Sequence, residues 1–72
     1  MQHFIRTVTI NGKPLVLRFN KISDAEFEVF CLNDRNVDKM IVTSENLQWK
    51  ILSGGTEELL NNSSRIIDLI EI

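Results

Sequence analysis

The chain has 72 residues, 43% apolar and 25% charged, with a net charge of −2, one cysteine and one histidine. That length supports a single hydrophobic core, so residues 1–72 are read as one domain, and the apolar fraction excludes a disordered chain. A lone cysteine and a lone histidine exclude an internal disulfide and a closed Cys/His zinc site.

Acidic and basic residues are interspersed, with no basic run, which argues against nucleic acid as a partner because phosphate binding draws its affinity from clustered cations. The opening Met1-Gln2-His3-Phe4 lacks the basic start and apolar run of a signal peptide, and no apolar stretch reaches the length that spans a bilayer. A cytoplasmic setting with no membrane contact is expected. A core of this size contributes roughly 3–5 kcal/mol of net stability, which makes a stabilising partner worth seeking.

Residues 4–10 and 15–19 alternate around Phe4, Val8 and Ile10, and around Leu15, Leu17 and Phe19, as half-buried strands do. Asn11-Gly12 between them is a type I′ hairpin signal, because both central residues of that turn need positive φ. If Ile10 faces Lys13, then Val8 faces Leu15, Arg6 faces Leu17 and Phe4 faces Phe19, so the two apolar faces coincide. Arg6 is the exception on that face. It must either snorkel at an edge or pair with a carboxylate.

Residues 25–32 alternate again, with Phe27, Val29 and Cys31 on one side and Glu26, Glu28, Phe30 and Leu32 on the other. Asn33-Asp34-Arg35-Asn36 is a turn by composition, Met40 to Thr43 a short strand, and Leu47 to Leu52 a strand with Leu47, Trp49 and Ile51 on one face. After the Ser53-Gly54-Gly55 break, Thr56 supplies an N-cap oxygen, followed by Glu57 and Glu58 in a first helical turn. At about 100° per residue, Leu59, Leu60, Ser63, Ile66, Ile67 and Ile70 form one stripe, with Leu69 and Ile72 outside it. A rival reading ends a short helix at Asn61 to Ser64 and continues Arg65 to Ile72 as a sixth strand, but that segment lacks clean alternation. The expected fold is α+β: a five-stranded antiparallel β-meander with one C-terminal amphipathic helix packed on one face.

The residues that could carry chemistry each have a plainer explanation. His3 near the terminus has no fixed partner, Cys31 shares the phase of Phe27 and Val29, and Trp49 shares that of Ile51. Asp24, Glu26 and Glu28 could form an acid–base pair or a cation site. On a solvated strand they serve solubility, and Arg18 and Lys50 on neighbouring strands could neutralise them. Gly54-Gly55-Thr56 resembles an anion-binding turn, yet Glu57 and Glu58 already occupy its positive field. No catalytic residue, cofactor or metal ligand is expected, and no enzymatic activity.

The Asn-Gly hairpin, the Leu-Gln-Trp-Lys-Ile-Leu strand, the Gly-Gly break and the Thr-Glu-Glu-Leu-Leu helix together resemble small uncharacterised bacterial proteins with a β-meander and a terminal helix. The resemblance implies that fold and no activity or site. One helix cannot cover both sides of such a sheet, and Ile5, Val16, Phe30, Leu32 and Leu52 have the parity of the uncovered side. They are the candidate interface of a small non-catalytic protein-interaction module, one that self-associates as a homodimer or receives another protein. The alternative is a small-ligand module with a pocket between helix and sheet.

Overall fold

A computed structural model describes residues 2–71. The chain forms β1 (His3–Ile10), β2 (Lys13–Ser23), β3 (Glu26–Cys31), β4 (Met40–Glu45), β5 (Gln48–Gly54), α1 (Glu57–Leu60) and α2 (Ser63–Glu71). The five strands pair in sequence order, each antiparallel to the next, and the fold is α+β. Short connections and local pairing explain this order, because consecutive strands joined by hairpins need no crossover.

The first hairpin has the register that its turn and its apolar alternation dictate, from Ile10↔Lys13 through Val8↔Leu15 and Arg6↔Leu17 to Phe4↔Phe19. Asn11 (φ 54°) and Gly12 (φ 77°) both take the left-handed conformation of a type I′ turn. Arg6 snorkels. Its guanidinium lies 4.8 Å from the Phe4 ring centroid, and Nη1 donates to the Ile5 carbonyl at 3.0 Å.

The last hairpin differs from expectation. Leu47 is not the first core residue of a strand but the second residue of a tight turn, with Asn46 at φ 54° and Leu47 at φ 66°, closed by the pair Glu45↔Gln48. Leu47 is 97% exposed as a result. Its hydrophobicity placed it in phase with Trp49, but a two-residue connection between the paired strands β4 and β5 overrides that phase. The turn therefore repeats the geometry of the first one with leucine where glycine would be unstrained.

The core lies on one side of the sheet, where Ile10, Leu17, Phe19, Val29, Met40 and Val42 are fully buried together with Leu59 of α1 and Ile66 of α2. An aromatic row extends it. Phe4 stacks on Phe19 at 4.8 Å, Phe27 meets both edge-on, and Trp49 is tilted on Phe27 at 5.4 Å. The helix α2 contacts both β5 and β1, the strands at opposite edges of the sheet, so the sheet coils until its two edges approach one helix.

The expected single helix is two. The Thr56 hydroxyl accepts from the Leu59 N–H at 3.4 Å and starts α1 as expected, but the helix closes at Asn61, and Asn62 N–H donates to the Leu59 carbonyl at 3.1 Å in a tighter turn. The Asn62 side chain donates to the Glu58 carbonyl at 2.8 Å, and its own carbonyl accepts from Ile66 N–H at 3.4 Å to open α2. Asparagine side chains compete for backbone partners in this way, which is why two in succession break a helix. The buried stripe keeps its phase across the break, with Leu59 and Ile66 both fully buried, while Leu60 at its margin is 44% exposed and Leu69 packs against the core. The segment from Arg65 is helical through Glu71 rather than a sixth strand, and Ile72 lies outside the described residues.

Candidate functional site

On the side of the sheet away from the core, the ladders line up Ile5, Arg18 and Phe30 across β1, β2 and β3. One step along, Leu32 N–H donates to the Val16 carbonyl at 2.8 Å and continues the pairing past the end of β3. Ile5, Val16, Phe30 and Leu32 therefore surround Arg18, with Ile5 and Leu32 about half exposed and Val16 and Phe30 half-buried. A shallow open depression of about 460 Å³ is lined here by Arg18, Asn20, Phe30, Cys31 and Leu32. Leu52 stands apart. It occupies the register shift in β5, between the residues paired with Val42 and Ile41, three strands away from β2 and 59% exposed.

The loop after β3 props this surface from below. The Asn33 side chain accepts from Val16 N–H at 3.0 Å and donates to the Pro14 carbonyl at 2.9 Å, so it serves the backbone of β2 where β3 has ended. Cys31 Sγ lies 3.3 Å from the same Asn33 oxygen and packs against the core, half-buried.

The charges on this face are arranged differently from the expected pairing of Arg18 and Lys50 with Glu26 and Glu28. Lys39 reaches Glu28 at 3.2 Å and stands 5.9 Å from the Phe30 ring centroid, while Lys50 pairs with Glu45 along its own hairpin. Lys50 lowers the Glu45 carboxyl below its ordinary range by hydrogen bonding and charge. Asp24, in the β2–β3 turn, pairs with Lys21 at 3.1 Å. Glu26 faces Thr43 across the β3–β4 ladder. The β3–β4 register places Lys39, just ahead of β4, on the other side of Phe30 from Arg18 and within reach of Glu28. Arg18 instead donates from Nε to Asn20 Oδ1 at 3.0 Å, and among the described residues it forms no ion pair.

His3 lies exposed at the start of β1, opposite Asn20. Among the described residues, no group of three His, Cys, Asp or Glu side chains is placed to hold a metal ion, and no helix is long and apolar enough to cross a membrane. A second depression of about 220 Å³ lies at the β4–β5 hairpin, lined by Glu45, Asn46, Gln48, Trp49 and Lys50. The helix α1 follows the Gly54-Gly55 break with Glu57 and Glu58 in its first turn.

Comparison of the chain with protein family models, curated proteins and solved structures returned no significant match. What the fold defines is a small α+β domain with an open antiparallel sheet and two short C-terminal helices.

Proposed function

We propose that the protein is a non-catalytic interaction module that docks another polypeptide on the outer face of its sheet. The observation that carries this reading is the cluster of Ile5, Val16, Phe30 and Leu32 on one contiguous three-strand surface, on the side of the sheet away from the buried core. An apolar cluster rimmed by polar residues is the usual composition of a contact surface. A cytoplasmic setting suits it, since the unpaired Cys31 stays reduced there.

The unpaired sheet edges are a weaker route. On β1 the core-side Arg6 places a charge where a added strand would need apolar contact, and β5 carries Lys50 and the register shift at Leu52. Both devices blunt an edge against strand addition. The ligand-module alternative has less behind it, because the two depressions described above are lined by strand and hairpin residues rather than by helix residues.

The test is affinity capture from the native cell with three baits: wild type, Leu32→Lys and Leu52→Lys. Both substitutions fall on half-exposed leucines and leave the core intact. Partners retained by wild type and Leu52→Lys but lost from Leu32→Lys are the expected result. Identical captures by all three baits remove the outer face from consideration.

A further inference from the structure

We infer that the outer face receives a polypeptide segment that places a carboxylate against Arg18 with apolar side chains beside it; this rests on the docking reading above. Arg18 is half-buried at the middle of the cluster, with Ile5 and Phe30 on either side in its row, Val16 along its own strand and Leu32 on the diagonal. Its Nε is committed to Asn20 Oδ1 at 3.0 Å, which fixes the plane of the guanidinium. Among the described residues, the two Nη groups make no hydrogen bond or ion pair. That outer edge of the guanidinium matches the two oxygens of a carboxylate, and apolar surroundings strengthen such a pair relative to bulk water.

The charge balance selects the anion. Lys39 is already paired with Glu28 at 3.2 Å, so among the described residues Arg18 offers the one cation of this cluster without an ion-pair partner. A carboxylate brings one charge. A phosphate dianion would need more cations than this face supplies.

The same placement disfavours a second copy of the chain. In a two-fold contact each surface meets its own symmetry mate, so a dimer centred on the apolar cluster would bring Arg18 close to Arg18 of the other copy, while Glu28 on the same face is held by Lys39. A partner that carries the opposite charge has no such conflict.

The experiment is an NMR titration of the labelled full chain with short synthetic peptides bearing one glutamate between leucines, and with the same peptides carrying glutamine. Inorganic phosphate and acetate are titrated separately. The glutamate peptide is expected to shift the amides of Ile5, Arg18, Phe30 and Leu32 and the Arg18 Nε–H signal, with the glutamine peptide about tenfold or more weaker. Arg18→Gln should abolish the difference between the peptides, and Arg18→Lys should restore only part of it. Thermal melts of both variants establish that they remain folded.

Equal shifts from both peptides would leave the docking face standing and overturn the carboxylate. Absence of any outer-face shift at millimolar peptide overturns it too, while the capture experiment separately decides the docking reading. Phosphate that moves the same signals at lower concentration than the glutamate peptide replaces the inference with a free-anion site. Light scattering that shows a dimer abolished by Leu32→Lys replaces it with self-association.

Discussion

Lys13 Nζ donates to Asp34 Oδ2 at 2.6 Å, tying the first residue of β2 to the loop that leads from β3 to β4. The Asp34 carboxyl also accepts from the Asn36 N–H at 2.9 Å. Lys13 and then this N–H hold the Asp34 carboxyl below its ordinary range, and Asp34 in turn raises the Lys13 ammonium above its own. A depressed carboxylate contributes stability above its unfolded value, lost as pH falls through the folded one. A raised ammonium contributes stability below its unfolded value, lost as pH rises through the folded one. The pair therefore supports the loop across the neutral range and weakens at both extremes. Carbon-detected NMR titration should find Asp34 the lower-titrating carboxyl when compared with Lys13→Gln, in which it moves up towards the ordinary range. An unchanged Asp34 midpoint in Lys13→Gln would show that the contact is absent in solution.

Leu47 occupies a left-handed position that costs a non-glycine residue roughly 1–2 kcal/mol, and its side chain, 97% exposed, recovers nothing from the core. Leu47→Gly reproduces the Asn-Gly pair of the first hairpin. After the added flexibility of glycine in the unfolded chain, it should stabilise the protein by about 0.5–1 kcal/mol in urea unfolding. A loss of stability would mean that Leu47 has a contact on the folded protein.

Ile66 and Leu60 test which side of the helical segment faces the core. Ile66 is fully buried, whereas Leu60 is 44% exposed. Ile66→Ala should cost about 2–4 kcal/mol, enough to unfold much of a domain this small, while Leu60→Ala should stay within about 1 kcal/mol. Circular dichroism with urea melts measures both. Comparable losses at the two positions would mean that Leu60 also packs against the core in solution.

Much of the fold was legible locally. The first hairpin needed only Asn11-Gly12 and two runs of alternating residues, because turn geometry and side-chain parity demand the same register. The start of α1 was equally local, since Thr56 caps it with its own side chain. The candidate surface was half legible. Parity placed Ile5, Val16, Phe30, Leu32 and Leu52 outside the core, but parity carries no information about which strands are neighbours or where a register shifts, and Leu52 falls away for that reason.

Sequence by itself determined the number and order of strands, the core face of each and the absence of a basic run, because these follow from period, turn chemistry and composition. Tertiary structure decided what alternation leaves open: Leu47 in a turn, two helices in place of one, Lys39 rather than Arg18 beside Glu28, and Arg18 held by Asn20 with no ion pair among the described residues. The physical reason is the same in each case. Those outcomes depend on which residue of a distant segment arrives opposite, and that is set by pairing and packing across the sheet rather than by neighbours along the chain.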